Sequence, residues 1–244
     1  MTWHDQARQL IDAYCAATLA LRAQVGVEEV HGYRIAARRL LALLALWRPL
    51  IHQPGLERRL LQATHRLSAL RDAQVYAERF GGKPAKSGPP RVPLLTVRLD
   101  RWLTRLAQVP VEFNPLPLYQ MQLALTLAEG VDGLDELSGG ARRQLRHWHR
   151  LRLILKQTRY GVELLLEQGE GDPAWLARLV EWQTRLGQLQ DARQWQRQLA
   201  RKGLSDKRRR QRRQLEEAIG CQLQQLNCQQ AELVGLRMAM QRTA

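Results

Sequence analysis

With 244 residues, 45% of them hydrophobic, the chain is long enough for one large folded domain or two small ones, each with a buried core, and too apolar to stay disordered. Thirty-eight Lys and Arg against 23 Asp and Glu leave a formal charge of +15, an excess that costs self-repulsion unless a polyanion neutralises it. On charge alone, nucleic acid, inorganic polyphosphate, an acidic membrane surface and an acidic protein all qualify.

The first predicted helix spans about twenty residues, because Trp3, Ala7, Leu10, Tyr14, Thr18 and Leu21 recur at three- and four-residue steps, and Gly26 ends it. A second helix carries VHGYRIAARRLLALL, with charge at its start and an apolar run, Leu40 to Trp47, at its end; Pro49 and Pro54 close it. A third is expected from about Leu56 to Phe80, with Leu56, Leu60, Ala63, Leu67 and Leu70 on one face. Residues 81–93, GGKPAKSGPPRVP, read as a flexible surface connection. A fourth helix covers about Leu94 to Gln108.

A shorter fifth helix is expected from Leu118 to Glu129, followed by a Gly-rich segment and a sixth helix holding RHWHRLRLILKQTRYGVELLL. A seventh runs from about Pro173 to Lys202, and an eighth from about Ser205, a plausible cap, to the C-terminus. No stretch alternates convincingly as a strand. The expected fold is all-α: two antiparallel four-helix bundles related by internal duplication and pseudo-twofold symmetry, with residues 1–110 as one repeat and 111–244 as the other.

The duplication rests on two matches. His31, Arg34 and Arg38, with Arg39 beside them, show an i, i+3, i+7 spacing that His149, Arg152 and Lys156 repeat 118 residues later. Leu56, Leu60, Ala63, Leu67, Leu70 and Asp72 correspond to Trp175, Leu179, Trp182, Leu186, Leu189 and Asp191 at an offset of 119. On a helix, His149, Arg152, Lys156, Arg159 and Glu163 fall within an arc of roughly 80°. Such stripes, beside small and apolar faces, suit a lined cleft, and the pseudo-symmetry would turn both toward a shared groove.

Phosphate oxygens fit this chemistry, since Arg offers a planar fork, Lys a point charge and protonated His a further donor. Arg98 and Arg105, with Arg101, form another stripe, and Arg208 and Arg212 within KRRRQRR continue an apolar face that would bring them inward. The three cysteines, Cys15, Cys221 and Cys228, include no CxxC pair, so neither a disulfide framework nor a zinc site is indicated. No metal-ligand cluster, Walker loop or catalytic constellation is identifiable, and no cofactor is expected. MTWHDQARQL lacks signal-peptide character and no apolar run approaches the roughly 18 residues of a spanning helix, so a cytoplasmic protein without membrane insertion is expected.

At VHGYRIAARRLLALL, LSALRDAQV, WHRLRLILKQTRYGVELL and LGQLQDARQ, the sequence resembles the CHAD family, the conserved-histidine α-helical domain, over nearly the whole chain. The resemblance implies two four-helix bundles, a basic central surface and non-enzymatic binding of inorganic polyphosphate, with association with polyphosphate granules. By position it carries over His31, Arg34, Arg38 and Arg39, then Arg71 of the Arg-Asp pair, then His149, Arg152, Lys156, Arg159 and Tyr160. In the second half Gln190 stands in place of that Arg, and Leu41 occupies the position equivalent to Arg159, so the halves are unequal. The rival readings are a general nucleic-acid binder and an enzyme of phosphate transfer or hydrolysis.

Overall fold

The computed structural model describes residues 2–80, 91–110, 112–134, 140–201 and 206–242. Among them there are nine α-helices, one short 3-10 turn at Asp132–Leu134 and no strand. No helix is long and apolar enough to cross a membrane. The chain divides into two compact units, Met1–Pro115 and Leu116–Ala244.

The first unit holds α1 (Trp3–Ala23), α2 (Val27–Leu46), α3 (Pro54–Arg66), α4 (Ser68–Phe80) and α5 (Thr96–Leu106). A capping box starts α1: the Asp5 amide donates to Thr2 Oγ1 (3.1 Å) while the Thr2 amide donates to the Asp5 carboxylate (3.2 Å). α1 packs on α2 and α5, and α2 on α3 and α4. The core between them is filled by Tyr14, Tyr33, Leu40, Leu43, Leu60 and Trp102, all essentially without solvent contact. Burying one such leucine stabilises the fold by about 1.5–3 kcal/mol. Phe113 lies 6.2 Å from Trp47, ring to ring, which keeps the residues beyond α5 with this unit.

The second unit holds α6 (Leu116–Val131), α7 (Ala141–Glu167), α8 (Pro173–Arg201) and α9 (Asp206–Arg242). Here α6 packs on α7 and α9, and α8 on α7 and α9. Trp148 of α7 stacks on Trp182 of α8 with ring centres 6.1 Å apart and planes 12° from parallel. α7 and α6 approach closely at Gly161, where a Cβ would stand 2.6 Å from Leu123. The α7–α8 connection turns through Gly169 and Gly171, whose φ of 80° and 83° suit glycine.

The second unit follows the plan of the first, with α6, α7, α8 and α9 in the places of α1, α2, the α3–α4 pair and α5. Pro54 and Pro173, 119 positions apart, each occupy the first turn of their helix, where the missing N–H costs nothing. Asp172 caps α8 by accepting from the Ala174 amide at 2.8 Å.

One expectation needs correcting. The helix expected from Leu56 to Phe80 is two helices, α3 and α4, interrupted at Leu67. The cause lies in the backbone carbonyl of Thr64, which accepts from Arg34 Nη1 at 2.8 Å and from the Ser68 hydroxyl at 3.3 Å. Side chains inserted into the i→i−4 ladder in this way interrupt a helix. In α8 the position of Ser68 is taken by Gly187, which has no hydroxyl to compete, and the helix is continuous. Of the predicted 81–93 connection, residues 81–90 lie outside the described residues, as does the proposed cap Ser205. Val92 and Pro93 are held firmly, their carbonyls accepting from Arg22 (2.8 Å) and Tyr14 (2.6 Å).

Candidate anion-binding faces

In the first unit, α2 carries His31 exposed at its start and Arg34, Arg38 and Arg39 half-buried beyond it. Periodicity dictates the arrangement: Tyr33, Ala37 and Leu40 point into the core, and the arginines between them emerge along its edge. Arg34 crosses to the α3–α4 junction, where besides the Thr64 carbonyl it donates to Ser68 Oγ at 3.2 Å. Such a charge-assisted bond contributes about 1.5–3 kcal/mol, so this arginine serves the fold as well as the face. On α4, Arg71 is half-buried, and its Nη1 is shut away from solvent with no hydrogen-bond partner among the described residues.

The second unit repeats this. Arg152 of α7 crosses to α8 at Gly187, where its Nη2 would lie 3.7 Å from an added Cβ, so Arg34 and Arg152 meet equivalent positions of the next helix. Arg152, Lys156 and Arg159 are half-buried, and His149 is exposed. Arg159 Nε lies 3.1 Å from Glu163 Oε1, and its guanidinium sits 4.6 Å above the ring of Tyr160, which is buried. Tyr160 therefore belongs to the core.

Two groups in this unit show how concentrated the charge is. The His149 imidazole is held below its ordinary range, first by partial desolvation and then by the charges of Arg152, Arg193 and Lys156, with Gln190 acting in the opposite sense. Arg193 of α8 is itself held below the usual guanidinium range by desolvation and by the neighbouring Arg197, Arg142 and Arg146. Its Nη1 donates to the Leu145 carbonyl at 3.4 Å.

Arg193, Arg142 and Arg146 do not follow from the repeated motifs. Arg142 and Arg146 extend the stripe of His149 by a further turn or two toward the helix start, and that step is visible in the spacing. Arg193 escapes a search by fixed offset, which lands on Gln190 in place of Arg71. One turn further on, the first unit has Gln74 where the second has Arg193, so the cation is displaced along the helix and not lost. Gln74 is buried and donates to the Gly26 carbonyl at 3.3 Å.

The other predicted residues stand on α5 and α9. Arg98 is exposed on α5, with Nη1 4.0 Å from where a Cβ on Gly55 of α3 would stand, and Arg105 is exposed near the end of α5. Arg212 is exposed on α9 and pairs with Glu216 at 3.3 Å, so it does not turn inward. The side chain of Arg208 lies outside the described residues. Among the described residues no three His, Cys, Asp or Glu side chains come together as metal ligands.

Comparison with known proteins identifies the family and the fold. The sequence profile of the CHAD domain matches residues 5–111 and again 90–200, and the chain belongs to that family. In fold it is similar to the crystal structure of the CHAD domain from the plant Ricinus communis, with a TM-score of 0.62 at 18% identity, covering 96% of this chain and 88% of that one. No curated protein sequence matches it.

Proposed function

We propose that the protein binds inorganic polyphosphate without acting as an enzyme, using the face of α2 and α4 in the first unit and that of α7 and α8 in the second. The observation that carries this reading is the crowding of Arg152, Lys156 and Arg193 around His149, three like charges partly withdrawn from water beside one another. Such a cluster is costly in the free protein and is relieved by a ligand with closely spaced negative charges. Arg71 contributes a buried donor that has no acceptor among the described residues. A linear polyphosphate meets these needs with one oxyanion after another and no bases or sugars to accommodate. A cytoplasmic role on polyphosphate granules follows from the same reading.

The test is a titration with long-chain polyphosphate at physiological salt, in wild type and in the Arg38→Ala/Arg71→Ala/Lys156→Ala/Arg193→Ala variant, each challenged with excess duplex DNA and RNA. Arg34 and Arg152 are left in place because they brace neighbouring helices. Loss of about a hundredfold or more in affinity, with helicity intact, is expected, since each charge-assisted contact is worth about 1.5–3 kcal/mol before ordering costs. Unchanged affinity overturns the assignment, and displacement of polyphosphate by nucleic acid favours the general nucleic-acid reading. Phosphate release during the titration would restore the enzymatic one.

A further inference from the structure

The first unit has a second basic feature that the duplicated motifs do not use. Between α3 and the segment leading into α5 lies a cleft of about 470 Å³, lined by Arg58, Arg59, Gln62 and Arg66 on one side and by Arg91 with Val92 and Pro93 on the other. It is separate from the α2 face. Taking about 100° per residue, Thr64, which receives Arg34, and Arg66 project roughly 160° apart around α3, with the buried Leu56, Leu60 and Ala63 between them.

Three features suit the cleft to a small phosphate anion. The guanidiniums of Arg58, Arg59, Arg66 and Arg91 are exposed, and among the described residues none that lines the cleft is acidic and no carboxylate pairs with any of the four. The nearest acid in sequence, Glu57, is engaged by Arg48 at 2.8 Å. The far wall is fixed, because Arg22 and Tyr14 hold the carbonyls of Val92 and Pro93. Among the described residues that line it there is no aromatic ring on which a base would stack.

We infer that this cleft is a separate site for a compact inorganic oligophosphate, of about two to four phosphoryl groups, gripped by the forks of Arg59, Arg66 and Arg91. This site stands independently of the polyphosphate reading, since it shares no residue with the α2, α4, α7 and α8 faces.

The experiment uses the full chain carrying Arg38→Ala/Lys156→Ala/Arg193→Ala, so that the faces contribute little, titrated with inorganic tripolyphosphate at physiological salt. Saturable binding is expected to persist there and to weaken about tenfold or more when Arg59→Ala/Arg66→Ala/Arg91→Ala are added. A chain given Arg8→Ala/Arg178→Ala/Arg242→Ala instead loses the same charge from other exposed positions and is expected to bind as before. ATP is expected to bind no more tightly than tripolyphosphate. Equal losses in both variants, no loss in the cleft variant or no saturable binding would overturn the site, and tighter binding of ATP would overturn its inorganic ligand. Long-chain polyphosphate binding by the wild type is read separately and fails or succeeds on its own.

Discussion

His149 is the residue at which charge and pH meet. Its imidazole is held below the ordinary 6.5, so at neutral pH the free protein carries it uncharged. Folding that disfavours the protonated ring means the unfolded chain binds that proton more tightly. The stability linked to it is therefore fully present above the unfolded value and lost as pH falls from there through the folded value. A phosphate beside the ring reverses the balance. In an NMR titration the His149 midpoint should lie below 6.5 in the free protein and move upward when polyphosphate is added, and affinity should fall as pH rises through the bound midpoint. A free midpoint at or above 6.5, or one that ligand leaves in place, would contradict this. The sequence reveals His149 and Arg152 because their spacing is repeated. It conceals Arg193, whose partner in the other half is one turn away, and the dual duty of Arg34, whose acceptor is a backbone carbonyl thirty positions distant.

At the scale of the element, glycines of α7 and α9 should respond to alanine with opposite signs. Gly161 of α7 meets Leu123 and the Tyr119 hydroxyl closely enough that an added methyl, 2.6 Å from Leu123, forces the helices apart. Gly161→Ala should destabilise the protein by about 1–3 kcal/mol in urea unfolding. Gly220 and Gly235 of α9 have nothing within 4 Å of an added Cβ. Alanine at either should stabilise by about 0.5–1 kcal/mol through helix propensity and the stiffer unfolded chain. Both signs are readable in one set of denaturation curves, and a stabilised Gly161→Ala would refute the close approach. Most helices are legible in the sequence, since their apolar steps and prolines mark them. The break at Leu67 is not, because Leu56, Leu60, Ala63 and Leu67 keep a helical step straight up to it and Leu70 continues the step beyond. The stronger competing donor, Arg34, comes from α2, thirty positions back.

Across the whole molecule, a formal charge of +15 makes the folded state repel itself, and any ligand specific to that state should stabilise it by mass action. At a free concentration a hundred times Kd the gain is about 2.7 kcal/mol, and for a chain of this size that should raise Tm by about 5–10 °C. Thermal unfolding with and without long-chain polyphosphate checks this, and the Arg38→Ala/Arg71→Ala/Lys156→Ala/Arg193→Ala variant should show little of the rise. The exchange of Arg71 and Gln74 for Gln190 and Arg193 bears on engineering by recombination. In a chimaera with a second copy of either half, the exchanged cations would stand at one height along their helices. The natural protein places them at two, so its halves are no longer spare parts for each other.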